Sequence, residues 1–362
     1  MVTSLYIHVP FCRRKCDYCH FYVVPDRESF QDKYMSALLR EWELRKPLFE
    51  ERELYTLYLG GGTPSLLGPQ RIRDVLSWLP KGAVEVTLEA NPEDVTFEKM
   101  QAFRKAGINR ISLGVQSFDD DLLRSLGRLH GATKAIEAVQ AIAAAGIENL
   151  SIDLMYDLPG QTAGSWRATL KQAVALPINH LSLYNLTIEP HTVFYKKRKQ
   201  LAPSLPTETA STAMLQEAID ILEGAGLSRY EISAFGRKAL HNTGYWTGRP
   251  FIGMGPSAFS YWEGRRFQNQ PHLHKWADAL ARAETPISFE ERLDPAAQQR
   301  ELLVIGLRLL SGVDLTQFSL DAQALENLKL LQAEGLVEYT PLHAHLTPKG
   351  LLFYDTVASY LI

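Results

Sequence analysis

At 362 residues the chain exceeds what one hydrophobic core usually spans, so a large domain with a smaller companion is expected. Hydrophobic residues at 46% and charged residues at 22% are ordinary for a globular protein, and a formal charge of −3 supplies no field to gather nucleic acid or an anionic membrane. Met1 to Val9 lacks the basic stretch and long apolar run of a signal peptide. No stretch reaches the length of a membrane span, Leu302–Leu310 being broken by Arg308, so no transmembrane segment is expected. Three cysteines without an export signal predict a reducing cytoplasm.

In the first two-thirds, short apolar runs alternate with helical patterns. Strands are predicted at Leu5–Val9, Leu54–Leu59, Val84–Glu89, Arg110–Val115, Leu150–Met155 and His180–Tyr184. Ala135, Ile136, Val139, Ile142 and Ala143 mark one intervening helix, with a stop at Gly146. Alternating strands and helices predict an α/β fold with a parallel sheet and right-handed crossovers. Six units fit a partial (β/α)6 barrel of TIM type better than the full eight.

Beyond residue 190 the pattern changes. Lys196-Lys197-Arg198-Lys199 reads as a solvated basic loop, with attraction of porphyrin propionates as the other reading. A helix over Thr207–Glu223 and a strand over Ser228–Ala234 close the barrel region, taken as residues 1–236. Residues 237–290 form a connecting segment carrying His241-Asn242-Thr243-Gly244-Tyr245-Trp246 and Gly253-Met254-Gly255-Pro256-Ser257-Ala258. Residues 291–362 predict a small winged-helix-like α+β domain: helices near Ala296–Leu310 and Asp321–Ala333, a hairpin across Val337–Leu346, and a helix from Pro348. Its five Lys/Arg against nine Asp/Glu argue against a DNA-binding use.

The chemistry gathers at the carboxyl ends of the strands, where βα-barrels place their sites. After the first come Cys12, Cys16 and Cys19, all the cysteines of the chain. A closed zinc site takes four ligands, and His20 or His8 would have to complete one; three thiolates instead suit an iron–sulfur cubane with one iron left open. Gly60-Gly61-Gly62-Thr63-Pro64 follows the second strand, where glycines admit a ligand close to the backbone and free N–H groups favour a carboxylate. It is no Walker loop, lacking Gly-Lys-Ser/Thr. Glu89, Gln116, Asp153, Asn185 and Thr187 continue the series. Glu89 or Asp153 alone could cap the next helix; six such groups in register are not explained by capping.

The spacing Cys-x3-Cys-x2-Cys, with Tyr18 before the last cysteine, resembles the cluster loop of the radical S-adenosylmethionine (SAM) superfamily. In that superfamily the open iron chelates SAM, and an electron from the cluster cleaves it to a 5′-deoxyadenosyl radical. Tyr6–Cys12, the glycine turn, Glu89-Ala90-Asn91-Pro92, Gly114–Phe118, Leu126-Gly127-Arg128 with His130, and Ile152–Thr162 together resemble the oxygen-independent coproporphyrinogen III oxidases and their close relatives, the heme chaperones of the HemW type.

The resemblance implies that Cys12, Cys16 and Cys19 ligate a [4Fe–4S] cluster. It implies that Tyr6, Tyr18, Gly61, Gly62, Thr63, Glu89, Gln116, Arg128 and Asp153 line a SAM site, extended by Thr187 and Phe259. Arg128 suits the methionine carboxylate, and Glu89, Gln116 and Asp153 suit ribose hydroxyls or the ammonium. Phe21 stands where the oxidases carry a further cysteine, and the first strand begins almost at Met1, without the oxidases' amino-terminal extension. The HNxxYW element, a mark of the chaperones, is intact at His241–Trp246, and implies His241 as an axial ligand of heme. His20, where the family often has Asp, is a small departure.

Two readings follow: a heme chaperone holding cluster, SAM and heme, or an oxidase decarboxylating coproporphyrinogen III. A nucleic-acid-modifying radical SAM enzyme is disfavoured by the acidic carboxy-terminal unit. The implied partners are heme or a porphyrin, an unnamed acceptor protein that is soluble or membrane-associated, and an electron donor to the cluster.

Overall fold

The computed structural model describes residues 2–362. Six strands run side by side and parallel: β1 (Val2–Val9), β2 (Glu53–Gly61), β3 (Glu85–Ala90), β4 (Arg110–Gln116), β5 (Asn149–Tyr156) and β6 (His180–Asn185). Each agrees with its predicted run within a few residues. These are near-continuous apolar segments because a parallel sheet covered by helices is buried on both faces: Leu5, Ile7, Val9, Leu57, Leu59, Leu88, Ile111, Leu113, Val115, Leu150, Ile152 and Leu154 are all buried. The crossover helices sit where periodicity put them. Ala132–Ala144 buries Ala135, Ala138, Val139 and Ile142, and its end is turned by Gly146 at φ 81°.

The sheet is larger than six strands. Arg229–Glu231 and Ala234–Gly236 form a hairpin against β6, in place of the single strand expected over Ser228–Ala234. On the other side Phe251–Met254 pairs parallel to β1, and Phe259–Trp262, Arg265–Asn269 and Ile287–Arg292 extend it antiparallel. The result is one twelve-stranded mixed sheet, which does not close into a barrel among the described residues. Residues expected to be a connecting segment thus supply much of this extension, because Ile252, Met254, Trp262, Phe267, Leu273 and Trp276 share the core of β1 and β2.

That extension is pinned by one buried carboxylate. Glu41, on the helix Glu28–Arg45, accepts from Gly255 N–H at 2.8 Å, Asn269 Nδ2 at 2.7 Å and Trp276 Nε1 at 3.0 Å. Burial raises its pKa, with Arg45 and these three donors opposing.

The carboxy-terminal unit has its own core of Leu303, Leu307, Leu328, Leu331, Val357 and Leu361. Helices Pro295–Gly306 and Ala322–Ala333 precede a three-stranded antiparallel sheet of Val313–Asp314, His343–Leu346 and Val337–Tyr339, and two short helices from Pro348 close it. Asp294, Asp321 and Thr347 cap three of these helices. Lys196–Lys199 lies in the helix Val193–Leu201, not in a loop, with its four basic side chains exposed. No helix among the described residues is long and apolar enough to cross a membrane.

Candidate functional site

The cysteine loop leaves the end of β1 and is clasped at its base. Phe11–Cys12 pairs with Val24–Pro25, and Val24 N–H donates to Pro10 O at 2.7 Å. Inside the loop Cys19 N–H donates to Cys16 O at 3.1 Å, while Asp17 N–H donates to Leu126 O at 3.1 Å. The glycine turn after β2 is stitched to the same base, Gly62 N–H donating to Val9 O at 2.8 Å and Thr63 N–H to Phe11 O at 2.7 Å. Glycine is required here: Gly61 has φ 111°, and a Cβ on it would lie 2.5 Å from the His8 ring, while one on Gly62 would lie 2.6 Å from Phe11 O. Cysteine loop and glycine turn therefore form one rigid corner.

A cleft of about 390 Å3 opens at this corner, lined by Cys12, Cys16, Cys19, Tyr18, Gly61, Gly62, Thr63, Glu89, Gln116, Arg128, Asp153 and Thr187. Tyr6 and Phe259, expected beside them, are placed elsewhere: both line a second cavity, described below. Asn185, expected in the series at the strand ends, lines the cleft as well, as do Asn91, Ser112 and Tyr184, which were not expected there. Asn91 was detectable, since it sits two residues after Glu89 in the same motif. Its amide donates to Thr63 Oγ1 at 2.9 Å and its carbonyl accepts from Arg128 Nη2 at 2.7 Å.

Of the charged groups that line the cleft, Glu89 and Asp153 on the strands face Arg128. Glu89 accepts from Tyr58 OH at 2.7 Å and from Gly61 N–H at 2.9 Å. Burial nonetheless raises its pKa to about 7, with the Asp153 carboxylate adding to the rise. Asp153 is raised as well, by burial first, against hydrogen bonds from Ser182 and Ser112. Gln116 stands at φ 68°, where the pairing of β4 with β5 slips between Gly114 and Gln116. A non-glycine residue in that region at a strand end is strain held by its surroundings, and it turns the side chain into the cleft.

The three thiols are free and partly accessible. No group of three His, Cys, Asp or Glu among the described residues is posed to hold a single metal ion. The donor set fits a polynuclear cluster better: three sulfurs on one loop, with Thr63 Oγ1 3.6 Å from Cys12 Sγ and Arg128 Nη1 3.5 Å from Cys16 Sγ. Burial pushes the Cys12 thiol up to about 11, so a metal centre must displace its proton on binding. SAM is accommodated by a further feature. Arg128 is half-buried; its Nε is buried without a partner, although Nη2 is held by Asn91 and Gly114 O. A buried guanidinium N–H left unpaired is a donor waiting for an anion.

The second cavity, of about 600 Å3, lies between the sheet extension, the helix Leu240–Trp246 and the carboxy-terminal helix Pro295–Gly306. Its walls include Tyr6, Tyr245, Trp246, Phe251, Phe259 and Tyr261, and it meets the cleft at His20 and Phe21, which line both. His241 does not line it. The ring is 1% exposed, with Nδ1 2.9 Å from Thr56 Oγ1 and Nε2 2.8 Å from Tyr245 OH. Both ring nitrogens are thus occupied, and burial lowers the pKa to about 3. His241, expected as an axial heme ligand, is placed behind Tyr245 in this arrangement and holds it against the wall.

A cysteine loop after the first strand of a parallel sheet, faced by a glycine turn and by Glu89, Gln116 and Asp153 from the strands β3, β4 and β5, defines a radical SAM protein. Residues 6–173 match the Radical SAM superfamily, and residues 293–353 match the HemN C-terminal domain. The chain is 32% identical to the heme chaperone HemW of Bacillus subtilis across 98% of each chain, and 34% identical to that of Lactococcus lactis across 96% of this chain and 94% of the relative. The chain belongs to the HemW family. Its fold is also close to that of the coproporphyrinogen III oxidase HemN of Escherichia coli, with a TM-score of 0.88 and 26% identity over 99% of this chain and 90% of the other.

Proposed function

We propose that this protein carries heme, holding it beside a [4Fe–4S] cluster and SAM and passing it to an acceptor protein in the cytoplasm. The observation that carries this reading is the aromatic cavity of about 600 Å3 that meets the cysteine cleft along His20 and Phe21. A porphyrin is a flat, largely apolar plate, and aromatic walls with few polar groups suit it. The HemW relatives bear the name heme chaperone across nearly the whole chain.

Cys12, Cys16 and Cys19 would hold the cluster. Tyr18, Gly61, Gly62, Thr63, Glu89, Gln116, Arg128, Asp153 and Thr187 would surround SAM, with Arg128 on its carboxylate. Tyr6 and Phe259 would pack on heme instead. When bound, cluster and SAM supply one-electron chemistry. The chain's own part is to set Glu89 and Asp153, both with pKa values raised by burial, beside Arg128 in one cleft, and to set the two cavities edge to edge.

The test is a heme titration of anaerobically purified, cluster-containing protein, paired with a decarboxylation assay supplied with reductant, SAM and coproporphyrinogen III. Saturable heme binding without turnover supports the carrier. Robust formation of protoporphyrinogen would make the chain an oxidase and overturn the reading.

A further inference from the structure

The heme-carrier reading calls for an iron ligand; His241 does not line the aromatic cavity and has both ring nitrogens paired, whereas the cavity itself presents another imidazole. Three imidazoles bear on it. His8 is fully engaged, its Nδ1 3.1 Å from Tyr6 OH and its Nε2 3.2 Å from Tyr22 O, and burial pulls its pKa to about 4. His241 stands behind Tyr245 with both nitrogens taken. His20 differs in exposure and in pairing. Its ring is exposed, rests on Phe21 with centroids 4.6 Å apart, and has no hydrogen-bond partner among the described residues. It lines the aromatic cavity and the cysteine cleft together.

We infer that His20 is the iron ligand for heme in this protein, presented at the seam between the aromatic cavity and the cluster cleft. The inference rests on the heme-carrier reading and adds to it a named ligand. Iron in a porphyrin takes its axial nitrogen from a neutral imidazole whose lone pair is uncommitted. Of the three candidates only His20 can bind without first breaking bonds inside the protein. Phe21 adds a flat apolar surface next to it, 52% exposed. The adjacency to Cys19 has a structural consequence: one short loop, clasped at Phe11–Cys12 and Val24–Pro25, carries a cluster thiol and the heme imidazole on consecutive residues. Heme iron held by His20 would lie at the seam of the two cavities, next to the cysteine loop.

The experiment titrates ferric heme into cluster-containing wild type, His20→Ala and His20→Gln under anaerobic conditions. Absorption and electron paramagnetic resonance spectra are read, and iron, sulfide and SAM affinity are measured in parallel. Wild type is expected to show nitrogen-ligated heme. Both variants should lose that signature and bind heme about tenfold more weakly or worse, a difference of about 1.4 kcal/mol. Cluster content and SAM affinity should not change, and added free imidazole should restore the signature. The Gln variant keeps a polar side chain of similar reach, which separates loss of the ligand from disturbance of the loop. Saturable wild-type binding with the same spectrum and affinity in both variants overturns His20 as ligand while leaving the carrier reading intact. Absence of saturable binding in wild type overturns both.

Discussion

Glu89→Gln isolates the electrostatics of the cleft. Burial lifts the Glu89 pKa to about 7, despite donors from Tyr58 and Gly61. An unfolded glutamate titrates near 4.3–4.5, so the folded value is raised by roughly 2.5 units. Protonation therefore favours the folded state: the stability it contributes is complete below about pH 4.5 and is lost as pH rises through about 7. Between about pH 5.5 and pH 8 this single group should cost about 2 kcal/mol of folding stability. Glutamine does not titrate, so the difference in stability between wild type and Glu89→Gln should change by about that amount across the window. An offset of about 1–3 kcal/mol is expected at every pH, because the amide cannot accept from both Tyr58 and Gly61. Ligand binding runs the other way: a ribose hydroxyl or ammonium donates to the ionised carboxylate, so SAM affinity should rise from pH 6 to 8 in wild type and stay flat in the variant. Denaturant unfolding and calorimetric SAM titration at the two extremes measure both. Parallel stability profiles for the two proteins would show that Glu89 is already ionised at pH 6 and refute the assignment.

Replacing Cys12, Cys16 or Cys19 singly by Ala should remove the cluster, since two thiolates and no spare cysteine remain, with far-ultraviolet dichroism little changed; about four irons per chain in Cys16→Ala would contradict this. Arg128→Ala should weaken SAM binding by about 2 kcal/mol, as loss of a charge-assisted pair does, with cluster content near wild type; unchanged affinity in calorimetry would make Arg128 only a tie between Asn91 and Gly114. Glu41→Ala should destabilise by about 3–5 kcal/mol, because Gly255, Asn269 and Trp276 lose a shared buried acceptor. A thermal midpoint unmoved in that variant would mean the sheet extension is held by apolar packing alone.

The barrel half was legible because its information is local. Parallel strands buried on both faces must be apolar runs, and polar residues at their ends mark one rim, so β1–β6 and the cysteine, glycine and acid positions could be read in order. The strands at Phe251–Met254, Phe259–Trp262 and Arg265–Asn269 were harder, since they are short and half-polar, and join the sheet through pairing with β1, which puts Phe251 opposite Ser4, far apart in the chain. Lys196–Lys199 was read as loop from charge alone, whereas Thr192 caps it into a helix by accepting from Tyr195 N–H.

The site divides along the same line. Residue type and spacing by themselves nominated Cys12, Cys16 and Cys19 as one set, because three cysteines within eight residues of one loop can reach a common centre. Which aromatics face the cysteine cleft and which face the second cavity was decided only by tertiary structure: Tyr6 sits on β1, and its backbone position does not say which cavity its ring enters. His241 and His20 show the same physics at its sharpest. A histidine in a motif and a histidine in a loop are chemically equal on paper. Folding pairs both nitrogens of one with Thr56 and Tyr245 and leaves the other free, since hydrogen-bond partners 185 residues apart in the chain meet only when the sheet forms.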